Sequence, residues 1–298
     1  MKLRFVQSFA VWSKALSLAG LVAVAGACGD DDEGAPKSDF IYESDERTVT
    51  FINLSKGATA YHWDFGDGET STEENPVHEY PAFGVYTAYL TATGPGGETL
   101  SLPDEMTLAK KSNVVIDGDL AEWADIPVST ENGDGTVTKV KVDYDGLKIY
   151  FYVEGTADMQ GFFDIYLNVD NDFSKGFNTG QYPNAIGAEF LLEGNLAGDH
   201  DAILYGFDFG NNDNDLFDFN VESPVADFGS GFVVSSDLKD IPGGGKALEF
   251  SMLRATLTGL APAGFTYAIQ DLLNWGMVGS IPVAGKPAST TQFVDLTK

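Results

Sequence analysis

Asp170, Asn171 and Asp172 stand in a row ahead of a Gly-rich stretch, and Glu189 opens the next apolar run. Together they offer the side-chain oxygens that a calcium ion takes, about six to eight in flexible geometry, with loop carbonyls completing the set. The same residues also serve as Asx turns, in which a side-chain oxygen accepts from nearby backbone. A second acidic run, Asn211-Asn-Asp-Asn-Asp215 with Asp218, lacks the Gly and the closing Glu of a helix-flanked calcium loop and reads as solvated. Cys28 is the one cysteine, which excludes a disulfide within the chain and a cysteine-based zinc site. His62, His78 and His200 show no short metal-ligand spacing. No Gly-x-Ser-x-Gly, His-Glu-x-x-His or phosphate-loop signature occurs. A glycoside hydrolase needs only two carboxylates about 5–10 Å apart, so the 45 acidic residues leave that chemistry open.

Short strands must position these groups. Hydrophobic residues make up 43% of 298, enough for two cores, and 34 Gly with 21 Phe and 12 Tyr favour aromatic strands joined by tight turns. No apolar pattern of helical period persists beyond residue 28. The net charge is −28, and residues 1–27 hold Lys2, Arg4 and Lys14 but no acid, so the remainder is more negative still. Such a surface repels phosphate backbones and argues against nucleic acid as a partner.

Trp63-Asp-Phe-Gly-Asp-Gly68 runs from a strand end into turn chemistry, where Gly supplies positive φ and Asp bonds its own backbone. Phe51-Ile-Asn-Leu-Ser55 precedes it. Asn75-Pro76, His78, Tyr80, Gly84-Val-Tyr86 and Gly94-Pro-Gly-Gly97 follow, with the alternating run from Tyr86 to Thr93. Over residues 39–111 this pattern resembles the PKD domain, a small immunoglobulin-like sandwich that serves as a spacer or interaction module. Asp64 and Asp67 are expected to build a turn, and Trp63, Tyr61 and Tyr80 to pack.

Val114-Val-Ile-Asp-Gly-Asp-Leu-Ala-Glu-Trp-Ala-Asp-Ile-Pro127 is a short strand, an Asp-Gly turn, an aromatic anchor and a Pro stop. It resembles the opening of family 9-like carbohydrate-binding modules, which implies a larger jelly-roll sandwich over residues 112–298 with Trp123 as a packing residue. The pattern continues. Thr138–Tyr144 alternates, Asp145-Gly146 signals a hairpin, and strands are expected at 147–154, 162–170, 188–193, 202–209, 216–221, 231–236, 247–252 and 265–272. Asp170-Asn-Asp172, Gly187-Ala-Glu189 and Leu248-Glu-Phe-Ser-Met-Leu253 also resemble that family, whose members often bind structural calcium.

Aromatic faces stack on the C–H faces of pyranose rings, and nearby polar side chains fix the hydroxyls. With Trp12 in the leader and Trp63 and Trp123 assigned to packing, Trp275 remains, in the Gly-flanked stretch Asn274–Gly279. The resemblance implies two aromatic side chains around a sugar, and Tyr182 or Phe177 from the 173–187 loop is the expected partner of Trp275.

At the other end, Lys2 and Arg4 precede a short apolar run that closes Val24-Ala25-Gly26-Ala27-Cys28. This resembles a bacterial lipobox with Ala25 in place of the commoner Leu, which implies acylation of Cys28. An ordinary signal peptide with an incidental cysteine is the alternative. The acidic run Gly29-Asp-Asp-Asp-Glu-Gly34 resembles an export tag for the outer face of the outer membrane, or is a charged tether over residues 28–38.

The sequence therefore predicts an all-β lipoprotein with two sandwiches, anchored in the outer membrane through lipid on Cys28 and facing the cell exterior. Its expected partner is a glycan or polysaccharide, bound without catalysis, with calcium as a candidate structural ion. The alternatives are a structural component that binds other surface proteins, and a glycan hydrolase or its accessory subunit. An exposed aromatic pair beside a cleft marks the first reading, a flat aromatic-poor face the second, and two facing buried carboxylates with raised pKa the third.

Overall fold

A computed structural model describes residues 35–131, 133–178, 182, 186–207, 219–220, 223–284 and 292–297. It is all-β, with three short 3-10 turns as the helical elements among these residues. In the first unit the strands are β1 (Phe40–Asp45), β2 (Thr48–Asn53), β3 (Ala60–Asp64), β4 (Thr70–Ser71), β5 (Val77–Glu79), β6 (Gly84–Gly94), β7 (Gly97–Leu100) and β8 (Asp104–Leu108). One sheet has the order β1-β2-β5, the other β4-β3-β6-β7 with β8 also on β6. Alternation along β2 and β6 turns Val49, Phe51, Ala88 and Leu90 inward, where Trp63, Phe65, Tyr80 and Met106 complete the core.

The segment after β8 is tied to both units. Lys111 Nζ donates to Asp45 at 2.7 Å, Ser112 Oγ donates to Asp143 at 2.6 Å, and Lys110 pairs with the same Asp143.

The second unit holds β9 (Val128–Glu131), β10 (Asp134–Gly135), β11 (Val137–Tyr144), β12 (Lys148–Gly155), β13 (Phe162–Asn168), β14 (Phe190–Asn195), β15 (Ile203–Gly206) and β16 (Ala226–Asp227). They are followed by β17 (Val233–Ser235), β18 (Lys239–Ile241), β19 (Gly245–Leu253), β20 (Gly264–Leu273), β21 (Gly276–Ile281) and β22 (Gln292–Asp295). A six-stranded sheet runs β17-β19-β12-β11-β9 with β18 on β19. An eight-stranded sheet runs β10-β21-β20-β13-β14-β15-β16 with β22 on β20. Their inner faces meet in one core, where Phe151 and Phe250 stack at 4.8 Å and Ile165, Leu192 and Ile269 face them. The expected strands at 138–144, 147–154 and 265–272 fall on β11, β12 and β20. Of the expected strand at 216–221, residues 216–218 and 221 lie outside the described residues, and Phe219 bridges Phe207.

Each sheet also carries apolar side chains outward. Val114, Trp123, Tyr150 and Tyr152 cover the six-stranded sheet. On the eight-stranded sheet, Tyr166, Phe177, Tyr182, Leu191, Phe207 and Phe219 form a separate cluster. The large aromatic residues Phe162 and Tyr166 on the outer face of β13 are thereby accommodated without a helix layer.

Candidate functional site

Trp275 is 75% exposed. It lies with Asn274 in the two-residue turn between β20 and β21, and both residues have positive φ, 53° and 65°. Two such residues match the twist of a tight hairpin, but Gly or Asn is the usual choice there, and a bulky side chain in that region is rare. The cost of placing Trp in it is the kind of local strain that collects at functional positions. Its ring meets Phe162 edge-on at 5.4 Å. Beside the two rings lies a depression of about 340 Å³ lined by Gln160, Asn195, Leu272 and Leu273 as well.

The strand register extends this face. Asp164 on β13 lies between Gln270 on β20 and Glu193 on β14, and Gln270 faces Ser280 on β21. One residue pair further towards the Trp275 turn come Phe162 opposite Asn195, and Leu272 opposite Met277. A polar row thus crosses the outer face about 7 Å from an aromatic edge, the span of two strand residues. Asp164 is buried, and burial, followed by the charge of Glu193, pushes its carboxyl up to about 7 against a long contact from the Tyr166 hydroxyl. Burial also raises Glu193.

Phe177 and Tyr182 do not pair with Trp275, contrary to expectation. Each is only 5% exposed and belongs to the apolar cluster on the far side of the polar row. Phe177 stacks on Tyr166 at 5.8 Å, and the Tyr182 hydroxyl accepts from Gln270 Nε2 at 3.3 Å. The aromatic partner of Trp275 is Phe162 instead. Phe162, Asp164 and Glu193 are not among the residues that the sequence singles out. The signal lay in the alternation of Phe162-Phe-Asp-Ile-Tyr-Leu, which puts a carboxylate between two aromatic residues on one strand face.

The expected calcium residues surround one loop in different ways. Glu189 Oε2 accepts from the Val169 amide at 2.8 Å, whereas Oε1 is buried without a partner. Asn171 donates through Nδ2 to the Gly264 carbonyl at 2.9 Å, and its Oδ1 is likewise buried and unmatched. Burial first, with Asp170 adding, pushes Glu189 up to about 7. Asp170 is exposed and accepts from the Asp172 amide at 2.7 Å. Asp172 is engaged elsewhere, since Lys175 pairs with it at 2.6 Å and, with Ser174, holds its carboxyl down near 2. Two unmatched buried oxygens on one loop suit a hard cation, which Glu189, Asn171 and Asp170 with loop carbonyls would hold. Among the described residues no three His, Cys, Asp or Glu side chains converge to hold a metal by themselves. Gly187 makes the close approach possible: its φ is +60°, and a Cβ there would come within 2.9 Å of Asn168 Nδ2.

Cys28, the leader and the 211–218 acidic run lie outside the described residues. No described helix is long and apolar enough to cross a membrane.

A family model for the PKD domain matches residues 35–108. Residues 35–108 are a PKD domain. Solved PKD1 domains of Vibrio anguillarum Epp and of the Vibrio cholerae metalloprotease PrtV are each 32% identical, with a TM-score of 0.24. They cover 25% of this chain, and 93% and 96% of their own chains are covered. The collagenase ColA of Bacillus cereus is 51% identical over 39 residues, 13% of this chain and 4% of the collagenase. A structure described as showing promiscuous specificity in carbohydrate-binding modules of the β-sandwich superfamily is 14% identical. Its match covers 89% of this chain and 100% of its own, at a TM-score of 0.25.

In the PKD domain the two turn aspartates act as expected of turn residues. Asp64 Oδ1 accepts from the Gly66 amide at 2.9 Å, and Asp67 Oδ1 from the Glu69 amide at 3.0 Å. Gly66 has φ +79°, and a Cβ there would sit 2.3 Å from the Thr87 carbonyl oxygen. Asp67 also contacts His78 Nε2 at 2.7 Å, and the His78 ring stacks on Phe65 at 4.1 Å. Burial opposes ionisation of Asp67, but the His78 contact and the Glu69 amide outweigh it and hold the carboxyl below its usual range. Trp63 is fully buried and donates to the Glu73 carbonyl at 2.8 Å. The Tyr80 hydroxyl donates to the Phe65 carbonyl at 2.9 Å.

Proposed function

We propose that this chain binds glycans without catalysis, through the outer face of the eight-stranded sheet, while the PKD domain acts as a spacer. The observation that carries the reading is Trp275, held exposed in a left-handed turn with its ring against Phe162 above a depression. Planar aromatic surface of this kind stacks on pyranose C–H faces, and Gln160, Asn195 and Asn274 supply hydrogen-bonding groups at the rim. The likeness of the Val114–Pro127 stretch to family 9-like carbohydrate-binding modules points the same way. Acylation of Cys28 would anchor the chain to the outer membrane with the acidic tether between the lipid and the PKD domain, and calcium at Glu189 would brace the loop after β13.

The paired carboxylates Asp164 and Glu193 favour hydrolysis as a second reading. Binding is the better account for two reasons. A glycosidase acid and its partner have pKa values pushed apart, whereas burial raises both of these. The two also sit side by side on one sheet face, not on opposite walls of a cleft.

The test is a titration of residues 29–298 with a panel of oligosaccharides, following tryptophan fluorescence and, in parallel, release of reducing ends. A saturable shift that disappears in Trp275→Ala, without sugar release, supports binding. Sugar release abolished by Asp164→Asn supports the hydrolase, and no response to any sugar turns the search to protein partners.

A further inference from the structure

Asp164 and Glu193 pose a problem that the binding face alone does not solve. They are direct cross-strand neighbours on β13 and β14, where like charges destabilise a sheet. Asp164 is only 8% exposed. Its Oδ1 is buried with no hydrogen-bond donor, and its Oδ2 has only the 3.5 Å contact from Tyr166. Among the described residues no Lys, Arg or His forms an ion pair with either carboxylate. On the other side of Asp164, Gln270 turns its amide N–H to Tyr182. Glu193 is half-buried and is the open end of the row, with Tyr205 near it. A buried acceptor without a donor is costly, and a buried carboxylate pair without a cation more so.

We propose that Asp164 and Glu193 form a subsite for a protonated amine, so that the face selects glycans carrying free amino sugars. The proposal rests on the glycan-binding reading above. An ammonium group has three donors and one positive charge. Between the two carboxylates it supplies the donor that Asp164 Oδ1 lacks and removes their mutual repulsion, with the Tyr166 hydroxyl beside Asp164 and Tyr205 near Glu193. A neutral diol supplies hydrogen bonds but no positive charge to favour the ionised pair in a medium of low dielectric. The sugar ring attached to the amine would extend towards Phe162 and Trp275, two strand residues away.

The test uses residues 29–298 at 0.15 M salt, with isothermal titration of three β-1,4-linked oligomers of equal length. These are glucosamine, N-acetylglucosamine and glucose oligomers. Glucosamine oligomers are expected to bind about tenfold to a hundredfold tighter than the N-acetylated ones, the range of a charge-assisted hydrogen bond. Asp164→Asn and Glu193→Gln should each bring the two affinities together, and thermal melts establish that both variants fold. Each variant removes one charge from residues 29–298, which are more negative than the full chain's net −28, too little to change unspecific attraction for a cationic oligomer.

Equal affinities in the wild type, or a preference that survives both variants, overturn the subsite. If neutral oligomers bind in a Trp275-dependent way without amine preference, the subsite fails and the glycan reading stands. If only glucosamine oligomers bind, independently of Trp275 but dependent on Asp164, the aromatic platform fails and the subsite stands. No binding by any of the three overturns both.

Discussion

Trp123 Nε1 donates to Glu249 Oε2 at 2.7 Å, although the two residues are 126 positions apart. The other oxygen of the same carboxylate accepts from the amides of Asp117 and Gly118, at 2.9 and 2.7 Å. Glu249 is fully buried, so its charge is balanced by three donors, all from the segment that opens the second unit. Glu249→Ala is expected to destabilise this unit by about 3–5 kcal/mol, because it leaves those donors buried and unmatched. Trp123→Phe keeps most of the packing and should cost about 1–3 kcal/mol. Urea unfolding followed by circular dichroism measures both. A loss under about 1 kcal/mol for Glu249→Ala would show that the opening segment docks by packing alone.

Trp275→Ala should remove glycan-induced fluorescence changes and leave thermal stability within about 0.5 kcal/mol of wild type, as for other surface positions. A melting temperature that falls by many degrees would mean that the ring holds Phe162 and the hairpin in place, and that loss of binding reports misfolding.

Calcium at millimolar concentration is expected to raise the melting temperature by a few degrees through preferential binding to the folded state. Glu189→Gln and Asn171→Ala should each abolish that rise, and Asp172→Asn should change it least, since Lys175 already occupies Asp172. Equal melts in calcium and in chelator would rule the ion out of this loop.

Asp164 and Glu189 ionise at about 7 in the fold, against ordinary values of 3.8 and 4.5. Between these limits the native state keeps protons that the unfolded chain has released. Their contribution to stability is therefore full below pH 4 and is lost as pH rises through 7. The melting temperature should fall between pH 5 and pH 8, and Asp164→Asn should flatten that slope. Parallel slopes in wild type and variant would show that Asp164 ionises in its ordinary range.

Asp67 works in the opposite direction. Its carboxyl is held down in the PKD domain, so its contribution is present above pH 3.8 and is lost as pH falls below it. Asp67→Asn should cost about 1–3 kcal/mol at pH 7, the range for a charged hydrogen-bond partner, and progressively less as the pH falls below 3.8. A penalty that stays the same as the pH falls would assign it to the turn and not to His78.

The sequence by itself determined what local chemistry determines. Gly66 needs a left-handed turn that a side chain cannot enter, Asp64 and Asp67 bond their own backbone, and the alternation of β6, β11 and β20 sets which residues face a core. Those signals span a few residues, so the all-β class, the PKD turn and the packing role of Trp63 and Trp123 are legible in the order of residues alone. The partner of Trp275 is not, because it depends on which strands lie side by side. Pairing of β13 with β20 brings Phe162 under the hairpin turn, while the 173–187 loop carries Phe177 and Tyr182 into a cluster beyond the polar row. Asp164 and Glu193 are 29 positions apart and become a pair only through the register of β13 and β14. A register shifted by one residue would have turned one carboxylate into the core. Tertiary structure alone decided that two unremarkable acids meet, one buried and one half-buried, with no cationic side chain paired to them among the described residues, on the face that carries the exposed tryptophan.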